Sequence, residues 1–221
     1  PSGFITRLLE LILKYNIFIL DKDLYQQQIG TAMGSKPAPL YANINMAQTI
    51  DPKIIELALL FSVNGESPIK LLKRFLDDIF MVWTGSVSSL HMFFNEINKI
   101  HETLKFTMTH TTPKSTQSEC PCENIQAIPF LDTSCEIKQG KIETDLYRKP
   151  TDKNQYLLTS SCHPPEVTSS IPFSLCMRIN RICSEPEARD NRFHELKEML
   201  IARDYPQGII NSAIQKARSI P

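Results

Sequence analysis

Apolar residues in FITRLLELILKYN recur at Ile5, Leu8, Leu9, Ile12 and Leu13, one face of a 3.6-residue repeat, so the spacing predicts an amphipathic helix over residues 4–15. IFIL (17–20) and LYQQQI (24–29) read as short strands on either side of Asp21-Lys22-Asp23, which predicts a hairpin. The small residues from Gly30 to Gly34 form a loop. A helix follows through LYANINMAQTI, pauses at Asp51-Pro52 and resumes to about Phe61, and Ser62 to Pro68 is rich in turn formers. Two strand-like runs flank Asp77-Asp78. A helix after Gly85 then sets Leu90, Phe93, Phe94, Ile97 and Ile100 on one side.

LKFTMTH (104–110) alternates as a strand, and the polar segment 111–124 is a loop. IPFLDTSCEI and KIETDLY flank Gln139-Gly140 and predict a second hairpin. From about residue 165 the pattern changes to helices near 173–184, 187–203 and 207–219, with prolines between them. The expected class is α+β: a mixed strand-and-helix part over 1–160, followed by a small all-helical part over 161–221.

Composition changes this picture little. The chain has 221 residues, 42% of them hydrophobic and 22% charged, which is a globular balance. No apolar run reaches the roughly eighteen residues of a membrane span, and Arg7 and Glu10 interrupt the N-terminal one, so no membrane partner is expected. A signal-peptide pattern is also absent there. The chain opens on Pro1, which reads as a piece of something longer. Net charge is zero, yet residues 1–137 carry 11 basic and 14 acidic side chains, and residues 138–221 carry 13 and 10. A mildly basic C-terminal part is compatible with phosphate contacts without demanding them. The 6 cysteines form no Cys-x-x-Cys pair, and Cys120-Pro-Cys122 and Cys162-His163 are the nearest approach to zinc ligands. Reduced thiols in an intracellular protein are the expectation.

The chemistry concentrates in KRFLDDIFMVW (73–83), where two adjacent carboxylates sit between apolar runs. A pair of Asp residues is by itself commonly a solvated hairpin turn. Apolar runs on both flanks imply strands that hold the turn rigidly. A carboxylate so held can reach a hard divalent cation, and magnesium takes one or two carboxylates together with phosphate oxygens. That is the donor set of two-metal phosphoryl or nucleotidyl transfer.

Phe75-Leu76-Asp77-Asp78 resembles the aromatic-x-Asp-Asp motif of reverse transcriptases. QIGTAMGSKPAPLYANINM (28–46) resembles the preceding loop-and-helix motif in the form seen in Penelope-like retroelements. IPFLDTSCEI with KIETDLYRKPTDKNQYL resembles the family's hairpin beyond the palm. SSCHPPEVTSSIPFSLCMRINRICS resembles its thumb entry, a region sometimes labelled helix-turn-helix in animal elements. The resemblance implies a partial right-hand polymerase palm followed by a helical thumb.

It also implies roles. Asp77 and Asp78 would be the catalytic, metal-binding carboxylates for Mg2+. Gln28, Gly30, Met33, Gly34, Ser35 and Phe75 would line the incoming nucleotide and template. Phe130, Leu131 and Asp132 would belong to the hairpin holding the primer end, and Arg148, Lys149, Arg178 and Arg181 would contact backbone phosphates. Without the family, those three are hairpin core plus one polar residue, and each cation, Lys105 included, reads as a solvated surface charge. The implied partners are an RNA template, a DNA primer and deoxynucleotides.

Reverse transcriptases of this kind use a third carboxylate on an earlier strand. Asp21 and Asp23 lie too close to Gly30 to admit a helix between them, so they read as hairpin turn residues. The expectation is a chain that begins after the first catalytic motif, lacks the fingers, ends at the thumb without an endonuclease, and does not polymerise alone. The missing N-terminal palm and fingers would come from the parent chain. Two other readings stand beside it: a helical nucleic-acid-binding module with the palm remnant as scaffold, and an inert relic. Nucleus and cytoplasm are not distinguished, since no basic cluster resembles an import signal.

Overall fold

A computed structural model describes residues 2–111 and 125–220, which fall into two compact units, Pro1–Thr107 and Met108–Pro221. Compactness therefore divides the chain near residue 107 rather than near 160, because the second hairpin region packs with the helices that follow it. Of the loop expected at 111–124, residues 112–124, with Cys120 and Cys122, lie outside the described residues.

The N-terminal unit begins with α1 (Ser2–Lys14) and the strands β1 (Ile17–Leu20) and β2 (Asp23–Gln26). Leu20 pairs with Asp23, so Asp21 and Lys22 form the two-residue turn, with φ of 50° and 80° as a hairpin turn with two left-handed residues requires. Asn16 Nδ2 donates to Gln27 Oε1 at 2.6 Å and closes the base of this ribbon. Neither α1 nor the ribbon buries a residue, so the apolar stripe read from the sequence stays open to solvent among the described residues.

The buried core of this unit starts with α2 (Ala38–Thr49) and α3 (Asp51–Leu59), broken at Ile50 because Pro52 lacks an N–H to continue the ladder. Ile50, Ile54 and Ala58 are buried there, and Leu90, Phe93 and Ile97 are buried on α4 (Val87–Ile97). β3 (Ile69–Phe75) and β4 (Asp78–Trp83) form the next antiparallel ribbon. Trp83 meets Phe93 at 5.0 Å between ring centroids, and Phe61 stands edge-on to Phe93 at 5.9 Å. Gly85 is forced by this contact, since a Cβ there would lie 2.7 Å from the Trp83 indole nitrogen. Ser86 then caps α4 by accepting from the Ser89 N–H at 3.1 Å.

The strand expected at 104–110 forms no ladder over 104–109, although burial still alternates along it. Asn98 anchors it: its Oδ1 accepts from the Phe106 N–H at 2.6 Å, its Nδ2 donates to the Phe106 carbonyl at 3.2 Å, and its carbonyl accepts from the Lys105 ammonium at 2.7 Å. Alternation records which side chains are covered; a ladder also needs a neighbouring strand edge.

In the C-terminal unit, β5 (Ala127–Phe130), β6 (Thr133–Lys138) and β7 (Lys141–Leu146) make a three-stranded antiparallel sheet. The run IPFLDTSCEI, expected as one strand, is two, because Leu131 adopts φ 57° and turns the chain at Leu131-Asp132. Gln139-Gly140 forms the expected hairpin turn, with φ of 49° and 76°.

Three helices follow: α5 (Pro165–Ile182), α6 (Pro186–Ile201) and α7 (Gln207–Arg218). α5 starts eight residues before the expected 173 because Pro172 does not end it. The ring of Pro172 is almost wholly buried, and that packing compensates the lost hydrogen bond. Thr168, Ser169 and Ser170 donate back to the carbonyls three residues earlier in the same stretch. Cys176, Ile179, Phe193, Leu196, Leu200, Ile210 and Ala217 form the core between the helices, with Leu146 of β7.

Asp145 joins sheet to helices. It accepts a bidentate pair from Arg192, at 3.0 and 2.6 Å, and the Leu146 N–H at 2.7 Å. Burial pushes its carboxyl upward, but the bonds from Arg192, Leu146 and Cys183 together outweigh it, and the group titrates below its usual 3.8. An unfolded chain then binds the proton first, so this stabilisation is present above pH about 4 and is lost as pH falls through the lower folded value. Acid titration of unfolding by urea should show stability declining below pH 4, and Asp145→Asn should be less stable at pH 7 with a flatter acid limb. An unchanged acid limb in the variant would refute the assignment.

Candidate functional site

At the tip of the β3–β4 ribbon Phe75 pairs with Asp78, leaving Leu76 and Asp77 as the turn. Leu76 has φ 55°, a left-handed conformation that costs a non-glycine residue about 1–2 kcal/mol. Arg74 holds it there. Its guanidinium donates to the Leu76 carbonyl at 3.0 Å, to Asn43 Oδ1 at 2.7 Å and to both carboxylate oxygens of Asp51, the shortest of these at 2.8 Å. Arg74 is 12% exposed on its side chain, and the bond to Asp51 raises its already high pKa, so the cation is permanent. One residue thus ties the turn to the junction of α2 and α3. Sequence reading passed over Arg74, Asn43 and Asp51; an Arg three residues before an Asp pair, with Asp-Pro upstream, was the available signal.

Asp77 and Asp78 are exposed, as is Phe75 at 54%. Asp77 lies in the turn itself and Asp78 is the first residue of β4, so the two carboxylates occupy successive positions with different backbone roles. They do not suit a pair of ions, which needs carboxylates from both sides, and no group of three or more His, Cys, Asp or Glu residues able to hold a metal occurs among the described residues. Cys162 and His163 are in no such group among the described residues, and His163 Nδ1 lies 2.7 Å from Ser161 Oγ.

The loop before α2 turns through Gly30 and Gly34, at φ 83° and 91°, where a Cβ would be strained. Gln28, Gly30, Met33 and Gly34 are exposed, and the half-buried Ser35 encloses its hydroxyl without a hydrogen-bond partner.

The C-terminal unit repeats the turn. Phe130 pairs with Thr133 around Leu131-Asp132, and Leu131 has φ 57°. Here the aspartate is engaged: Arg178 of α5 reaches Asp132 Oδ2 through Nη2 at 2.7 Å and Nε at 2.8 Å. Arg148 pairs with Glu195 at 3.6 Å and donates to Met199 Sδ. Of the four cations expected to meet phosphate, Lys149 and Arg181 are exposed with no ion pair among the described residues, whereas Arg148 and Arg178 have partners within the unit.

α6 and α7 are joined by residues 202–206, a short turn with Asp204 at φ 63°. Tyr205 is buried beneath it, Arg203 Nε donates to the Tyr156 carbonyl at 2.6 Å, and Thr159 Oγ1 donates to the Asp204 carbonyl at 3.0 Å. The helix so presented, QGIINSAIQKAR, contains no acidic residue. Ile210, Ala213 and Ala217 face the core, while Gln207, Asn211 and Gln215 form an exposed amide stripe at four-residue spacing. Uncharged amides read as ordinary solvated positions in sequence, so this face was missed; the absence of any acid over 207–218 was the signal.

Residues 155–215 match the family described as the animal helix-turn-helix domain. No curated protein and no solved structure matches the chain.

Replacing Arg74 by Met should cost about 1–3 kcal/mol, because Asp51 and the Leu76 carbonyl lose their partner. Hydrogen exchange at the Asp77 and Asp78 amides should quicken with it. Unaltered exchange at the turn would show that Arg74 does not hold it.

Proposed function

We propose that this chain engages nucleic acid through its C-terminal unit. The observation that carries the reading is the helix-turn-helix match over 155–215, falling on three packed helices whose last member is free of acidic residues. Asn and Gln side chains suit base edges because one amide offers a donor and an acceptor side by side, and Gln207, Asn211 and Gln215 are exposed together on α7. Arg181 and Lys149 are free to meet backbone phosphates.

A finer reading is favoured by the N-terminal unit: a partial palm and thumb of an RNA-directed DNA polymerase of the retroelement type. Its support is a carboxylate pair displayed on a turn that Arg74 rigidifies, following a loop with two left-handed glycines. In this reading Asp77 and Asp78 would hold Mg2+, which supplies charge neutralisation for phosphates. Gly30 and Gly34 let the backbone approach a nucleotide, with Gln28, Met33, Ser35 and Phe75 beside it. Phe130 and Leu131 would support a primer end, while Asp132 orients Arg178. The partners would be an RNA template, a DNA primer and deoxynucleotides.

Fluorescence anisotropy with a 20-base-pair RNA–DNA hybrid tests the first reading. Binding should weaken with salt, at a log–log slope of about −0.9 for each phosphate neutralised, and should persist when Asp77 and Asp78 are both changed to Asn. No binding at low salt would overturn it. The finer reading predicts no primer extension by this chain alone in magnesium and deoxynucleotides, since a two-ion site needs a third carboxylate. Extension by this chain unsubstituted, abolished in the double Asn variant, would show the site to be complete here; extension that survives in the variant would remove Asp77 and Asp78 from the chemistry.

A further inference from the structure

Between the first half of α5 and most of the length of α7 lies an open groove of about 450 Å³, lined by Ser169, Ser170, Phe173, Gly208, Ser212 and Lys216 together with Ile209 and Ala213. We propose that this groove seats the sugar–phosphate backbone of one strand of a bound nucleic-acid duplex. The inference rests on the nucleic-acid reading above and names where, on this unit, the strand lies.

Charge is the first reason. Residues 155–218, through the end of α7, hold 8 basic and 7 acidic residues, so the module has little general attraction for a polyanion. The groove departs from that average, with a lysine and no carboxylate in its lining. The Lys216 ammonium sits 4.6 Å from the centre of the Phe173 ring, which holds the flexible side chain over the groove while leaving its three donors available.

Chemistry of the lining is the second. Ser212 is exposed on α7 and offers a hydroxyl to a phosphate oxygen. Ser169 and Ser170 donate to the carbonyls of Glu166 and Val167, at 3.2 and 2.9 Å, and would exchange these bonds for phosphate oxygens. Phe173, Ile209 and Ala213 give the floor an apolar surface against which a sugar ring packs. The groove also borders the amide stripe, because Gly208, Ser212 and Lys216 each follow directly on Gln207, Asn211 and Gln215. A strand held in the groove therefore runs alongside the side chains that reach base edges.

Gly208 supplies a clean test. It has no left-handed φ, and a Cβ there would meet nothing within 4 Å. An acid in the first turn of a helix is favoured by the helix dipole, so Gly208→Glu should fold at least as well as the parent while placing a negative charge at the groove. With a 20-base-pair duplex at low salt, Gly208→Glu should weaken binding on the order of tenfold, from a like charge near a phosphate. Gly208→Ala should bind as the parent does. Lys216→Gln should lower the salt slope by about one. Lys141→Gln, an exposed lysine at the β6–β7 turn, serves as the control for net charge and should leave the slope unchanged. Thermal unfolding of each variant shows that the fold is kept. Parent-like binding by Gly208→Glu and Lys216→Gln would overturn the groove while the nucleic-acid reading stands. Equal losses in Lys141→Gln and Lys216→Gln would overturn it as well, by reducing the effect to net charge. A parent chain that binds no duplex at low salt would overturn both.

Discussion

The C-terminal unit depends on Asp145, the point at which its sheet is fastened to its helices. Arg192 grips that carboxylate with two donors and reaches Glu195 with a third, at 2.8 Å, so one side chain spans β7 and α6. The same strand is bonded to the end of α5, where Thr144 Oγ1 donates to the Ile182 carbonyl at 2.6 Å and the Ser184 N–H returns to the Thr144 carbonyl at 2.9 Å. A planar guanidinium matches a carboxylate in two bonds and so fixes direction as well as distance. Without that junction the core around Phe193 and Leu196 would have helices but no floor.

Each unit uses the same device once more. Arg74 with Asp51 fixes a ribbon to a helix pair in the N-terminal unit, and Arg178 with Asp132 fixes a turn to α5 in the C-terminal one. The two Phe-Leu-Asp turns share a backbone, with Leu76 and Leu131 both left-handed, yet their aspartates have different fates. Arg178 neutralises Asp132 and makes it structural. At the first turn the arginine goes to the carbonyl and to Asp51 instead, leaving Asp77 and Asp78 exposed as a charge pair. Placement of one arginine separates an engaged aspartate from an exposed pair.

Most arginines of the helical unit are spent in this way. Arg148, Arg178, Arg192 and Arg218 are in ion pairs, and Arg189 and Arg203 donate to backbone carbonyls. In the proposed nucleic-acid reading, contact would concentrate on few positions, with the acid-free α7 and its flanking groove counting for more than total charge. A surface of this kind favours modest affinity with a shallow salt dependence.

Much of the local architecture was legible in the sequence because it obeys local rules. The hairpins at Asp21-Lys22 and Gln139-Gly140, the break before Pro52, the helix after Gly85 and the three terminal helices follow from turn chemistry, proline and periodicity. The positions of Asp77, Asp78, Gly30 and Gly34 were equally plain. Tertiary structure decided what local pattern does not encode. Alternation at 104–109 made no ladder, Leu131 bent one apolar run into two strands, and a buried Pro172 was carried inside a helix rather than ending it. Partner choice was likewise invisible: that Arg178 meets Asp132, 46 residues away, and that Arg74 meets Asp51, 23 residues away, depends on which elements pack together. Backbone preference acts over a few neighbours, whereas charge pairing and the shape of a groove arise only when distant segments share one place.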